Sequence, residues 1–160
     1  MPPTNLERMI QLAEDVFAVK NDPDQLDVDQ EVIEQLHRIH PATVSEYDDG
    51  NGPVAWVLII PTTSELMYKF LEKEITELEL FRQTPQGASY DSVYLCSALV
   101  LPEYRRKGIA SQLSLKAIES IRKEHPIKSI FVWPFSNEGD LGAQAVADAA
   151  GLPLLKRQSH

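Results

Sequence analysis

Arg105, Arg106 and Lys107 stand together immediately before Gly108, where an apolar run broken by Pro102 gives way to an amphipathic stretch. The whole segment reads LVLPEYRRKGIASQL, from Leu99 to Leu113. The chemistry such a junction can perform is anion binding. A helix N-terminus presents unpaired N–H groups and the positive end of the helix dipole. Gly108 has no side chain to keep a ligand from the main chain, and hydrogen bonds from cations to phosphate are roughly twice as strong as neutral ones. Together these features suit a pyrophosphate. A solvated surface turn is the alternative, and these residues alone leave both open, because a lone glycine-containing loop carries little specificity. Neither G-x-x-x-x-G-K-[ST] nor G-x-G-x-x-G is present.

Other reactive side chains are scattered. Glu34, His37 and His40 share a helical face at spacings seen in metal sites. Only His125 and His160 remain to complete a cluster, so a solvated helix end is preferred and no metal is expected. Asp22, Asp24 and Asp27 lack the spacing and the glycine of a calcium loop; they read as a polar turn or as an acidic lip for a cationic ligand. Cys96 has no histidine near it in sequence and is expected to be a core residue rather than a nucleophile. Trp133-Pro134-Phe135 reads equally as cleft floor or as packing.

These residues need a scaffold, and the periodicity supplies one. Thr4 and Glu7 form a capping-box pattern before a helix with Leu6, Met9, Ile10, Ala13 and Phe17 on one face, ending near Asn21. A second helix runs from about Val28 to His40 and stops at Pro41. Two β-rich runs then flank the turn formers Asp48 to Gly52. Thr62 and Glu65 read as another capping box, opening one long helix as far as Arg82. A strand over Ser92 to Leu101 leads into a helix from Gly108 to Lys123. SIFVW follows as a short buried strand, then a helix over Asp140 to Ala150 closed by Gly151, and LPLLKRQ as a last strand. The order predicts a mixed α/β (α+β) layer fold.

The chemistry-bearing loop is similar to a known one. Arg105-x-x-Gly108-x-Ala110 matches the [QR]-x-x-G-x-[GA] acyl-CoA loop of the GNAT superfamily of N-acyltransferases, and Ala98-x-Val100-x-Pro102 matches the L-x-V-x-P that precedes it. The element order resembles that fold from the early helices to the last helix. The resemblance implies a mixed central sheet with helices on both faces and strands that splay apart at the acyl-CoA site. It implies a bulged strand at Ser97 to Pro102, with SIFVW as its diverging neighbour.

The implied donor is acetyl-CoA or another acyl-CoA. Its pyrophosphate would lie on the backbone N–H groups of Arg106, Lys107, Gly108, Ile109 and Ala110, with Arg105 and Ser111 beside them. Its pantetheine arm would pair with main-chain groups of Leu99, Val100 and Leu101 as an added strand. Asn137 sits where many members place an asparagine facing that arm.

The chain also departs from the family. The tyrosine that many members place four residues before a Gly-Phe pair, as acid toward the thiolate, is Ala147 here, before Gly151-Leu152. The strand position eleven residues ahead of the [QR] residue, a glutamate in some members, is Tyr94, the one candidate catalytic residue. An alkylamine with pKa ~10.4 must lose a proton before it attacks, so a proton acceptor is required. Where the family usually opens with a strand and closes with a two-strand hairpin, a helix is expected first here and the hairpin is expected to be short. An acceptor groove built this way is open, covered by the helix over residues 63–82, or completed by a second subunit as a homodimer.

Composition bounds the remainder. The 160 residues, 43% hydrophobic and 24% charged, fit a single acyltransferase domain over residues 1–160. A net charge of −9 disfavours nucleic acid and anionic membrane and favours cationic ligands such as amines. The longest apolar run, Val54 to Ile60, is too short for a bilayer. With one cysteine and no signal-peptide layout at the start, a cytoplasmic location is expected. The expected activity is transfer of acetyl from acetyl-CoA to a primary amine of a small molecule or peptide. An acyl-CoA-binding module without catalysis and a nucleotide phosphate binder are the alternatives.

Overall fold

Val54 to Ile60 is apolar at every position, and all but Trp56 are buried, so this strand must be covered on both faces. It lies second in a five-stranded sheet. The structure, a computed structural model, describes residues 2–20, 30–134 and 137–158. Asp22, Asp24, Asp27, Phe135 and His160 lie outside the described residues.

In chain order the elements are α1 (Asn5–Lys20), α2 (Gln30–Ile39), β1 (Val44–Asp48), β2 (Pro53–Thr62), α3 (Ser64–Leu71), α4 (Glu77–Gln83), β3 (Ser92–Val100), α5 (Ile109–Arg122), β4 (Ser129–Val132), α6 (Asn137–Ala150) and β5 (Leu154–Lys156). Single 3-10 turns at Pro41–Thr43 and Pro102–Tyr104 precede β1 and α5. The strands lie in sequence order: β1, β2 and β3 are antiparallel, while β4 and β5 run parallel to β3. Each parallel pair needs a crossover, which α5 and α6 provide, and the two helices pack on each other.

Helices cover both faces. Tyr94 and Phe131 are register partners and stack on each other, with Phe70 of α3 set edge-on against both. The alternate residues Val93 and Ile130 point the other way and are equally buried. Met9 of α1 packs with Val54, Leu99 and Leu101 in a smaller cluster of its own.

Three expectations about elements are corrected. The long helix over residues 63–82 is two helices, because Lys73 takes a left-handed φ of 64° and Thr76 starts a new helix with a complete capping box to Glu79. The cap of α3 is Thr63, not Thr62; Thr62 ends β2 and its hydroxyl meets that of Thr84 at 2.8 Å inside the core. The last helix starts at Asn137, three residues before Asp140. The Thr4 cap and the end of α6 at Gly151, with φ 70° and Leu152 N–H donating to the Ala147 carbonyl at 3.0 Å, are as the sequence predicts.

Candidate active site

β3 is a central strand, yet its burial stops halfway. Ser92, Val93 and Tyr94 are buried, whereas Leu95, Cys96 and Ser97 are partly exposed and Ala98 is exposed. The cause is the parting of the neighbouring strand. β4 pairs with β3 from Ser92–Ser129 to Leu95–Val132 and no further, while β2 stays paired with β3 as far as Val100. A bulge marks the parting: Leu58 pairs with Ser97 and Ile59 with Leu95, which leaves Cys96 as the extra residue. Among the described residues no strand pairs with the β4-facing side of β3 beyond Leu95, which leaves an open edge there.

Strand alternation decides which main-chain groups line that edge. Leu101 donates its N–H to the Val54 carbonyl at 2.9 Å, so its N–H and the main-chain groups of Leu99 face β2. Those of Ala98 and Val100 face the open side. This corrects the expectation for Leu99 and Leu101, whose side chains are also buried in the α1 cluster. Of the expected strand residues, Val100 alone presents an N–H to the opening. Ala98, which the sequence reading passed over, presents the other.

The open edge runs into the mouth of α5. Thr63 and Thr76 cap α3 and α4 with their side chains, but the N-cap of α5 is Gly108, and no side chain caps it. The first bond of the helix closes from Gln112 N–H to the Gly108 carbonyl at 2.9 Å, so the amides of Ile109, Ala110 and Ser111 precede the ladder. Gly108 has φ 78°, and Arg106 is also left-handed at φ 63°. No atom lies within 4 Å of where a Cβ of Gly108 would stand, so a side chain there would meet open space. The residues therefore fit an extended ligand ending in a diphosphate: an open edge of N–H and C=O groups, then bare amides, then cations. Arg105 Nε donates to the Val100 carbonyl at 3.0 Å, and Lys107 Nζ lies 5.3 Å from the centre of the Tyr104 ring.

Neighbouring elements fix this loop. Arg8 of α1 donates two hydrogen bonds to the Glu103 carboxylate, at 2.6 and 2.7 Å, and its guanidinium holds that carboxyl down to about 2. Tyr104 donates a short hydrogen bond to Asp49 in the β1–β2 turn, which Asn5 also contacts at 3.2 Å. The hydroxyl lowers the Asp49 pKa, and the carboxylate raises that of Tyr104.

Tyr94 is placed differently from the expectation. It is fully buried, its ring is packed between Phe70 and Phe131, and its hydroxyl donates a short hydrogen bond to Glu77 at the first turn of α4. Burial, and then the negative charge of Glu77, push its pKa well above the ordinary value. A phenol held neutral in this way is a donor, not a base. Glu77, at 6% exposure, is the one buried carboxylate among the described residues, and Arg157, at 4%, the one buried Lys or Arg. Arg157 lies 4.5 Å from the ring centres of both Phe70 and Trp133 and donates to the Ile75 carbonyl at 3.0 Å. Its backbone N–H reaches the Val132 carbonyl at 2.9 Å, at the last residue of β4 before the parting. The sequence reading missed Glu77 and Arg157. The acidic first position after the Thr76 cap was the only signal for Glu77, and it reads as ordinary helix charge.

Ala147 is fully buried in the core, so this α6 position offers no hydroxyl. Asn137 opens α6. His40 is a buried structural residue: its Nδ1 accepts from Ala42 N–H at 3.0 Å and its Nε2 meets Glu124 at 3.1 Å. Among the described residues no group of His, Cys, Asp and Glu is placed to hold a metal, and no helix is long and apolar enough to cross a membrane.

The family model described as "Acetyltransferase (GNAT) family" matches residues 6–151. No curated protein sequence matches. Among solved structures, an aminoglycoside acetyltransferase from an uncultured soil metagenomic sample, crystallised with trehalose, superposes with TM-score 0.49 and 17% identity over 89% of this chain and 76% of its own. Chaetomium thermophilum Naa20, solved with a bisubstrate analogue, gives TM-score 0.50 and 15% identity over 83% of this chain and 65% of its own. With an acyl-CoA loop motif, a parted β3–β4 pair and a family match over nearly its whole length, the chain belongs to the GNAT acetyltransferase family.

Proposed function

We propose that this protein moves an acetyl group from acetyl-CoA to a primary amine of a small molecule or peptide by direct attack. The observation that carries the reading is the continuous path from the open edge of β3, at Ala98 and Val100, to the uncapped mouth of α5. Main-chain amides on that path suit the pantetheine arm and the diphosphate. The Val100 N–H is a donor suited to the oxyanion formed when the amine adds to the thioester carbonyl. A chain of net charge −9 draws cationic amines toward it. The amine nitrogen bonds to the acetyl carbon, the C–S bond breaks, the amine gives up a proton and the thiolate takes one.

The test is a thiol-release assay with acetyl-CoA against polyamines, aminoglycosides, amino acids and peptides with free N-termini, alongside calorimetric titration with CoA. Tight CoA binding with turnover of at least one amine is expected. Failure to bind CoA overturns the reading. A second reading, an acyl-CoA-binding module without catalysis, is favoured by Ala147; CoA binding with no turnover on any amine would establish it. The reading includes a single domain over residues 1–160, a cytoplasmic setting and a homodimer that completes the acceptor groove; light scattering tests the dimer.

A further inference from the structure

We propose that Glu77 is the proton acceptor for the attacking amine, with Tyr94 as the residue that positions its carboxylate. The inference rests on the acetyl-transfer reading above and adds the group that reading lacks. Placement is the argument. Tyr94 pairs with Phe131, one residue before the last β3–β4 pair, so the residue bonded to Glu77 adjoins the parting of the strands. Arg157 bonds to the last residue of β4 and stacks on Trp133, the first residue beyond it. Arg157 also lies 4.5 Å from the centre of the Phe70 ring, which packs edge-on against Tyr94. The one buried carboxylate and the one buried Lys or Arg among the described residues thus converge where β3 opens.

Burying a carboxylate is costly unless it is hydrogen-bonded and its charge is compensated, and an apolar side chain would hold α4 against the sheet equally well. A charged group kept inside at a strand parting is a functional candidate. Tyr94 donates to Glu77, so its hydroxyl fixes the orientation of the carboxylate. An ammonium N–H gives its proton to this carboxylate, directly or through water. The freed amine then attacks the thioester carbon, the C–S bond breaks, and the second proton that the nitrogen sheds on becoming an amide passes through solvent to the thiolate. Glu77 afterwards returns its proton to solvent, so atoms and charge balance over the cycle.

The experiment compares the wild type with Glu77→Gln and Tyr94→Phe, measuring CoA affinity, melting temperature and thiol release. The acceptors are the best alkylamine of the panel and hydroxylamine, which is already neutral at pH 7 and needs no deprotonation before it attacks. Glu77→Gln should bind CoA within about twofold of wild type and lose about 10²-fold or more in kcat with the alkylamine, while keeping most of its rate with hydroxylamine. Tyr94→Phe should show a smaller loss of the same selectivity, about tenfold. Equal losses with both acceptors, or a wild-type rate in Glu77→Gln, overturn the inference. If Glu77→Gln does not fold, Tyr94→Phe decides: an unchanged ratio of the two acceptors refutes the assignment. A wild type that turns over neither acceptor instead overturns the acetyl-transfer reading, and the role of Glu77 with it.

Discussion

Arg105 Nε donates to the carbonyl of Val100 at 3.0 Å, so the first cation of the loop folds back onto the strand that leads into it. That carbonyl faces the open side of β3, and the bond ties the edge and the helix mouth into one surface. Arg105→Ala should weaken CoA binding by about tenfold, equivalent to about 1.4 kcal/mol. The melting temperature should hardly change, because the side chain is exposed. Titration calorimetry and a thermal melt separate the two effects.

Gly108 combines a left-handed φ of 78° with clear space where a Cβ would stand. Gly108→Ala should cost about 1–2 kcal/mol of folding stability through backbone strain alone. Gly108→Trp should leave the domain folded and abolish CoA binding, because its ring occupies the space over the bare amides. Denaturant melts report the first effect and CoA titration the second; undiminished affinity in Gly108→Trp would remove the mouth of α5 from the site.

The Arg8–Glu103 pair predicts a definite acid limb. Folding lowers the Glu103 pKa from 4.5 to about 2, chiefly through the Arg8 hydrogen bond. A depressed carboxylate stabilises the fold above its unfolded pKa and loses that contribution as pH falls through the folded value. The melting-temperature difference between wild type and Glu103→Gln should therefore be constant above about pH 5 and shrink toward pH 2. Asp49, lowered by the Tyr104 hydroxyl, acts with the same sign. Glu103 is exposed and Arg8 only partly buried, so the difference should be small and fall with added salt.

Arg157 is buried between Phe70 and Trp133 and bonded to the Ile75 carbonyl. Arg157→Ala should destabilise the protein by about 3 kcal/mol or more, since it removes a compensating charge from the interior that holds Glu77. Arg157→Lys should recover only part of this, because an ammonium lacks the planar guanidinium that contacts both rings. Urea unfolding measures both.

Much of this molecule was local and therefore readable in the chain. The acyl-CoA loop, Gly108, Gly151 and the Thr4 cap depend on residues within a few positions of one another, where backbone sterics and short-range hydrogen bonds decide the conformation. The apolar run at Val54 to Ile60 announced a strand covered on both faces for the same reason. The long helix over residues 63–82 misled because its apolar stripe continues across a break set by Lys73 and the Thr76 cap.

What needed the tertiary structure was everything fixed by register between strands distant in sequence. Only the pairing of β3 with β2 and β4 shows that Ala98 and Val100 face the opening while Leu99 and Leu101 turn away. Only the folding of α4 and the segment after β5 onto the same sheet face brings Glu77 and Arg157 to Tyr94, across 17 residues in one case and 63 in the other. Sequence patterns carry side-chain periodicity along one segment. Burial of a charge depends on which segments meet, and that is decided by the packing of the whole chain.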